Sequence, residues 1–446
     1  MAASPRTARA LNDRLALELL QREGPLTAGQ LKTMTGLSRP TVADLVERLQ
    51  GSGLVQVVGE SGAQRRGPNA RLYGIVADRA HLAALDVRTG GVRVVVADLL
   101  GRTLAEASLP IGGDTGTEPA AERAVALLAG AVTEAGATRL HSVGVGAPGL
   151  VDPATGELRP TSGLPAWHRQ LVAALQERLP ARVLVENETN LAALAEQRLG
   201  SARDRESFAF LWLGHGVGAG LFLDGRLRRG SSGGAGEVGF LPVPGTHGLP
   251  SRGDCDGGFH TLAGAAAVAA LAARHGVVAR PGAAAPRPGD AVTGPGPGAA
   301  ALGDAGAASG SVGAMSGDAV TGPGPAMAAS GDATAPPPGP GVADRAAALV
   351  AEAVAAGHDA FLDELAARLA LGAAAMVSVL DPGCVVLGGE IGHAGGPALA
   401  ARVEERVAAM SPLPTLVRPG ALGGTAVLGG ALTMARQAAQ DDLFGA

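Results

Sequence analysis

The patterning of this chain predicts an α/β protein with a small helical head. Three observations carry that expectation. A trio of helical segments near the N-terminus is punctuated at Gly24-Pro25 and at Gly36-Leu37-Ser38-Arg39-Pro40. Two short β-branched runs follow around a Gly- and Arg-rich loop. From residue 81 onward, strand-like and helix-like segments alternate, with Gly-rich turns after several of the strands. Alternation of that kind is the signature of α/β layers.

In the head, residues 11–20 read as a helix with Leu11, Leu15 and Leu19 on its apolar face. Thr27 is placed to cap a second helix, which ends near Gly36. Ser38 caps a third, and Pro40 falls in its first turn, where a missing N–H costs nothing. Val42, Leu45, Val46 and Leu49 recur at helical spacing and face the core. Ser38, Arg39 and Thr41 are left at the exposed N-terminal end, the end that a recognition helix presents to the major groove. Residues 54–58 and 72–76 read as two strands, and the loop between them carries Arg65, Arg66 and Arg71. The arrangement is a winged helix-turn-helix over residues 1–78, with Arg65 and Arg66 set to clamp phosphates or enter a minor groove. Charge is consistent with this. Residues 1–80 carry a net +4 while the 446-residue chain carries −5, so the head alone is suited to meet phosphate.

The body begins with strands at 82–87, 91–100 and 104–109, a helix at 118–135, and a strand at 142–145 running into Gly146-Ala147-Pro148-Gly149. A second copy of the pattern begins near Ser207. Residues 208–213 read as a buried strand, 214–220 as a turn, 221–225 as a returning strand, and 384–387 as a late strand before Gly388-Gly389. Gly-rich turns after strands let backbone N–H groups approach a phosphate. Residues 281–341 hold almost no large apolar side chain and repeat the string GDAVTGPGP, so they are expected to be a disordered insertion. Patterned sequence resumes at Val342 with an Ala-rich helix, and 371–377 reads as a buried helical stretch.

Two cysteines, Cys255 and Cys384, exclude a disulfide framework and fit a reducing cytosol. No secretory signal is evident, and no apolar run reaches the roughly 18–20 residues that span a bilayer. The expectation is a cytoplasmic protein with no membrane partner.

Four strings resemble the ROK family (repressor, open reading frame, kinase) in its winged-helix regulator branch. They are Leu37-Ser38-Arg39-Pro40-Thr41-Val42, residues 143–152 (VGVGAPGLVD), residues 185–196 (VENETNLAALAE), and residues 214–239 ending Gly233-Gly234-Ala235-Gly236-Glu237-Val238-Gly239. The resemblance implies a two-lobed actin-like (ribonuclease H-like) domain over residues 79–446, a sugar site between the lobes, and a homodimer. By position, Asn187, Glu188 and Glu237 match residues that contact sugar hydroxyls in the family, and His260 stands where the family has a sugar-reaching Glu.

The departures bear on chemistry. The family's kinases hold ATP phosphates with an Asp-x-Gly-Gly-Thr loop; here Asp86-Val87-Arg88-Thr89-Gly90-Gly91 places Arg88 and Thr89 where glycines allow close approach. The family's catalytic Asp is replaced by Glu188, one methylene longer, and about 1 Å of misplacement costs roughly a hundredfold in rate. Phe240 stands at the family's zinc histidine, and only Cys255 remains of its cysteines, too few for a closed tetrahedral site. Gly163 stands where the family often has a sugar-binding Asn. The expectation is a DNA-binding transcriptional regulator, a repressor of carbohydrate genes, with operator DNA and a sugar effector as partners and no metal, cofactor or kinase activity. Two alternatives stay open: a sugar kinase with an appended DNA-binding head, and a DNA-binding protein whose pocket is vestigial.

Overall fold

Thr27 and Ser38 set the geometry of the head. In the computed structural model, which describes residues 5–61, 70–159, 164–251, 256–279 and 341–445, α1 (Pro5–Glu23) leads into β1 (Leu26–Thr27) and α2 (Ala28–Thr35). Thr27 accepts a hydrogen bond from the Gln30 N–H while the Gln30 side chain accepts one from the Thr27 N–H, a reciprocal capping box. Gly36, left-handed at φ 71°, ends the helix. Ser38 caps α3 (Arg39–Gly51) by accepting from the Thr41 N–H, with Pro40 in the first turn. Val42, Leu45, Val46 and Leu49 are buried as their spacing predicts. β2 (Val55–Ser61) and β3 (Ala70–Ile75) form the wing in a sheet of order β1-β3-β2. Strand β1 was not legible in the sequence, because two residues carry no alternation.

The apolar face of α1 is not the one its leucines suggested. Leu19 is buried, but Leu11 is 60% and Leu15 39% exposed, and the packed stripe is Ala16, Leu17 and Leu20. The helix is turned because its core extends beyond the head. That core also takes in Leu82, Leu99, Ala435, Ala439 and Phe444 from the body.

In the first lobe, β4 (His81–Arg88), β5 (Gly91–Asp98) and β6 (Thr103–Pro110) form an antiparallel meander. Then come α4 (Thr117–Glu134), β7 (Leu140–Ala147), α5 (Trp167–Arg178) and β8 (Arg182–Asn187), with β7 parallel to both β4 and β8. The sheet order is β6-β5-β4-β7-β8. From β8 the chain passes directly into α6 (Glu188–Arg198).

The second lobe repeats the plan with β9 (Phe208–Leu213), β10 (Val217–Leu223) and β11 (Arg226–Leu227) antiparallel. Helices α7 (His260–Ala263), α8 (Ala265–Arg274), α9 (Val342–Ala356) and α10 (Asp359–Leu380) precede β12 (Cys384–Gly388), α11 (Gly389–Met410), β13 (Leu416–Pro419) and α12 (Ala426–Phe444). The sheet order β11-β10-β9-β12-β13 mirrors the first. One expectation is corrected: 217–220 is strand, not turn. The glycines that made it read as a turn admit α6, since a methyl on Gly220 would sit 2.5 Å from the Ala193 methyl. Residues of α6 and α12 pack together with side chains of both sheets, Ala84 and Val95 from one and Phe208, Phe210 and Val386 from the other. The insertion expected at 281–341 lies outside the described residues except for Gly341.

Candidate functional site

At the head, the N-terminal turn of α3 presents Arg39 to solvent, beside exposed Ser38 and half-buried Thr41. The two hydroxyls are 2.8 Å apart and share a hydrogen bond, so both are engaged in capping the helix. Arg71 lies exposed at the start of β3, opposite Glu60. Arg65 and Arg66 lie outside the described residues.

In the body, α6 begins where β8 ends, and that junction positions the candidate site residues. Asn187 caps α6: its Oδ1 accepts from the N–H groups of Thr189 and Asn190, and its Nδ2 donates to the Gly149 carbonyl at 3.0 Å. This ties α6 to the loop after β7. The 233–240 loop closes on the same place, because Gly234 lies against Leu150 and Glu237, and a methyl on Gly233 would overlap the Val151 carbonyl oxygen. Gly239 borders both the Val217 carbonyl and His260. Asn187, Glu237 and His260 are thus joined through two loops, with Glu188 in the first turn of α6. Phe240 is 40% exposed beside Glu237. Gly163 and Cys255 lie outside the described residues. Among the described residues, no group of three or more His, Cys, Asp or Glu side chains is placed to hold a metal ion.

Sequence reasoning missed Glu186. It is buried, accepts from the Asn187 N–H and the Asn190 Nδ2, and pairs with Arg229. It fixes the strand-to-helix junction from below. Its position immediately before Asn187 was the available signal, but a Glu in a strand reads as solvent-facing.

Electrostatics concentrate at Asp86, Arg88, Glu188 and Glu390. Burial raises the Asp86 pKa, against the pull of Arg88. Burial pushes Glu188 up to about 7, Arg88 pulls it down, and Asp86 and Glu390 push it further up. Burial likewise raises the carboxyl of Glu237. A hydroxyl-binding carboxyl near pH 7 both accepts and, when protonated, donates.

Glu188 gives a pH prediction. The folded chain holds a proton on it up to about pH 7, whereas the ordinary value is 4.5. The stability it contributes is full below 4.5 and is lost as pH rises through about 7. Glu188→Gln, neutral throughout, therefore gains on wild type across that window, by on the order of 1–2 kcal/mol after screening. His168, driven down to about 4 by burial, acts with the opposite sign. The difference between wild-type and variant denaturation midpoints, measured from pH 4.5 to 8, isolates Glu188; a difference flat with pH contradicts the assignment.

Comparison with known proteins fits this geometry. Residues 83–282 match the ROK family and residues 10–67 the MarR family. The DNA-binding transcriptional dual regulator NagC of Escherichia coli K12 is 27% identical over 238 residues, covering 52% of this chain and 57% of that protein. The xylose repressor of Bacillus subtilis 168 is 24% identical, covering 52% and 60%. The chain thus spans little more than half the length of these relatives. Among solved structures, a ROK family transcriptional regulator described as a homologue of the E. coli MLC protein superposes with a TM-score of 0.67 at 18% identity, covering 98% of each chain. A ROK hexokinase from Thermus thermophilus superposes at 0.54 with 25% identity, covering 81% of this chain and 99% of the hexokinase. Among the described residues, no helix is long and apolar enough to cross a membrane.

Proposed function

We infer that this chain, which carries a ROK family domain behind a MarR-type winged helix, is a cytoplasmic, sugar-responsive transcriptional regulator that represses carbohydrate genes. The observation that carries this is the pairing of an exposed Arg39 at the start of a capped helix with a β8–α6 junction whose Asn187 and Glu188 offer polar groups suited to hydroxyls. The relatives' names, a dual regulator and a xylose repressor, support it. Two copies of the chain would place two recognition helices on a pseudo-palindromic operator. A sugar held by Asn187, Glu188, Glu237 and His260 would favour one arrangement of the lobes, and only a difference in its affinity for two arrangements shifts DNA binding.

The route from cleft to head runs through packed elements. Helix α12 packs along α6 on one side and shares the head's core through Ala435, Ala439 and Phe444. Arg14 of α1 is ion-paired with Asp441, and Gln440 donates to Gln21.

The test is Glu237→Gln, followed by fluorescence anisotropy on operator DNA with a panel of sugars. DNA affinity stays within about twofold of wild type while the sugar response falls at least tenfold, the loss expected for one charge-assisted hydroxyl contact. A response that persists unchanged places the sugar elsewhere.

The rival reading, a sugar kinase with an added head, requires ATP turnover. Arg88, in the turn that a kinase uses for phosphates, counts against it. A coupled phosphorylation assay over common hexoses separates the two.

A further inference from the structure

In the sequence, the turn between β12 and α11 reads as a Gly-rich place for phosphate, whereas the turn between β4 and β5 stands at the family's phosphate loop with Arg88 in conflict with it. The structure fills the space between them with the chain's own side chains. Arg88, the last residue of β4, donates from Nε to Asp86 Oδ2 at 2.9 Å and from Nη1 to Glu390 Oε1 at 2.5 Å. Asp86 and Arg88 belong to the sheet of the first lobe, and Glu390 to the first turn of α11 in the second. The guanidinium also lies 5.8 Å from the ring centroid of Trp212, on β9 of the second lobe. One fork therefore touches three residues drawn from both lobes.

The glycines around it serve this arrangement. Gly389, at φ 71°, turns the chain so that Glu390 faces the first lobe, and a methyl there would sit 2.5 Å from the Leu213 carbonyl oxygen. A methyl on Gly214 would fall 2.6 Å from both Glu390 Oε2 and Trp212 Nε1. The Gly-rich turns hold a carboxylate and an indole against Arg88.

The charges balance as a clamp. Burial by itself would lower the Arg88 pKa, but Asp86, Glu390 and Glu188 outweigh it, and the guanidinium is held firmly protonated. Asp86 is fully buried and Glu390 partly so, while a third of the Arg88 side chain stays exposed. Asp86 Oδ1 has no hydrogen-bond partner, so the Asp86 carboxylate relies on Arg88 for its neutralisation. A planar fork that bonds two carboxylates at once is specific to arginine.

We propose that Arg88 is an interlobe tie, joining β4 to α11 through Asp86 and Glu390 so that the cleft beside Glu188 is held closed by the chain itself, without nucleotide. This goes beyond the sensor reading and does not depend on which sugar binds.

The test is an interlobe distance distribution from pulsed electron paramagnetic resonance on the full chain. Nitroxides are attached at Glu118→Cys on α4 and Val379→Cys on α10, both exposed, in a Cys255→Ser background. Arg88→Gln shifts the distribution to longer, broader distances. Glu390→Gln, which leaves the Asp86–Arg88 pair within β4 intact, produces the same shift. The exchange Arg88→Glu with Glu390→Arg keeps one guanidinium between carboxylates but supplies it from the other lobe, and it returns the distribution to that of wild type. The proposal is overturned if Arg88→Gln leaves the distances unchanged, if only Arg88→Gln and not Glu390→Gln lengthens them, or if the exchange resembles Arg88→Gln.

Discussion

Arg39→Ala lowers affinity for operator DNA by about ten- to a hundredfold, the range expected for one specific side-chain contact to a base or a phosphate, and leaves thermal unfolding where it was. Arg39 is the first residue of α3, exposed, and the capping bonds of that turn come from Ser38 and Thr41. Its removal therefore subtracts from the DNA contact and not from the fold. Titrations at several salt concentrations resolve which contact is lost. A phosphate contact lowers the salt slope by about one and weakens all sequences alike, whereas a base contact relaxes preference at one position. Leu45→Ala is the contrasting control. Leu45 is 1% exposed in the shared core, and its truncation costs about 2–5 kcal/mol, so DNA binding and stability fall together. Undiminished binding by Arg39→Ala contradicts this account of the recognition helix.

Gly430→Val disrupts the body outright. A side chain on Gly430 would overlap the Leu191 carbonyl oxygen of α6, and one on Gly144 of β7 would overlap the Ala431 carbonyl oxygen of α12. Helix α12 is clasped on both sides by backbone, which cannot move aside as a flexible side chain can. The variant loses about 3 kcal/mol or more by denaturant titration, and because α12 shares the head's core it loses DNA binding too. Gly130→Ala, within α4 and facing open space, provides the opposite sign. It stabilises by about 0.5–1 kcal/mol through helix propensity. A Gly430→Val chain as stable as wild type contradicts the packing described for α12.

Where local chemistry decides an element, the sequence was legible. Thr27, Gly36, Ser38 and Pro40 each act on the backbone within a few residues, and α2 and α3 begin and end where they require. Strands β4, β5, β6, β7, β9 and β12 were legible as short apolar runs, whereas β8, β11 and β13 were not read. The first half of β10 was misread as turn, because Gly218 and Gly220 are there for α6, a neighbour that sequence does not show. The face of α1 was misjudged for a similar reason, since its partners include α12, about 420 residues away in the chain.

The cleft divides in the same way. Asn187 and Glu188 follow one another in the chain and stand together at the start of α6, and the Gly-rich loop before Glu237 packs against the 150–151 segment next to the Gly149 carbonyl that Asn187 bonds. That Arg88 replaces a glycine was visible, and so was its conflict with bound phosphate. Its partner Glu390 was not, because an ion pair across 302 positions leaves no local pattern. Asn187 also proved to be a helix cap as well as a candidate sugar contact, a role that depends on how β8 meets α6.

In the proposed function, one chain couples a sugar to a DNA site. The most direct test is a gel shift with DNA flanking the chain's own gene, with and without a panel of sugars and sugar phosphates. A specific complex is expected that one sugar class releases or strengthens, with the response abolished by Glu237→Gln. Absence of a complex, or a complex indifferent to every sugar, would contradict it.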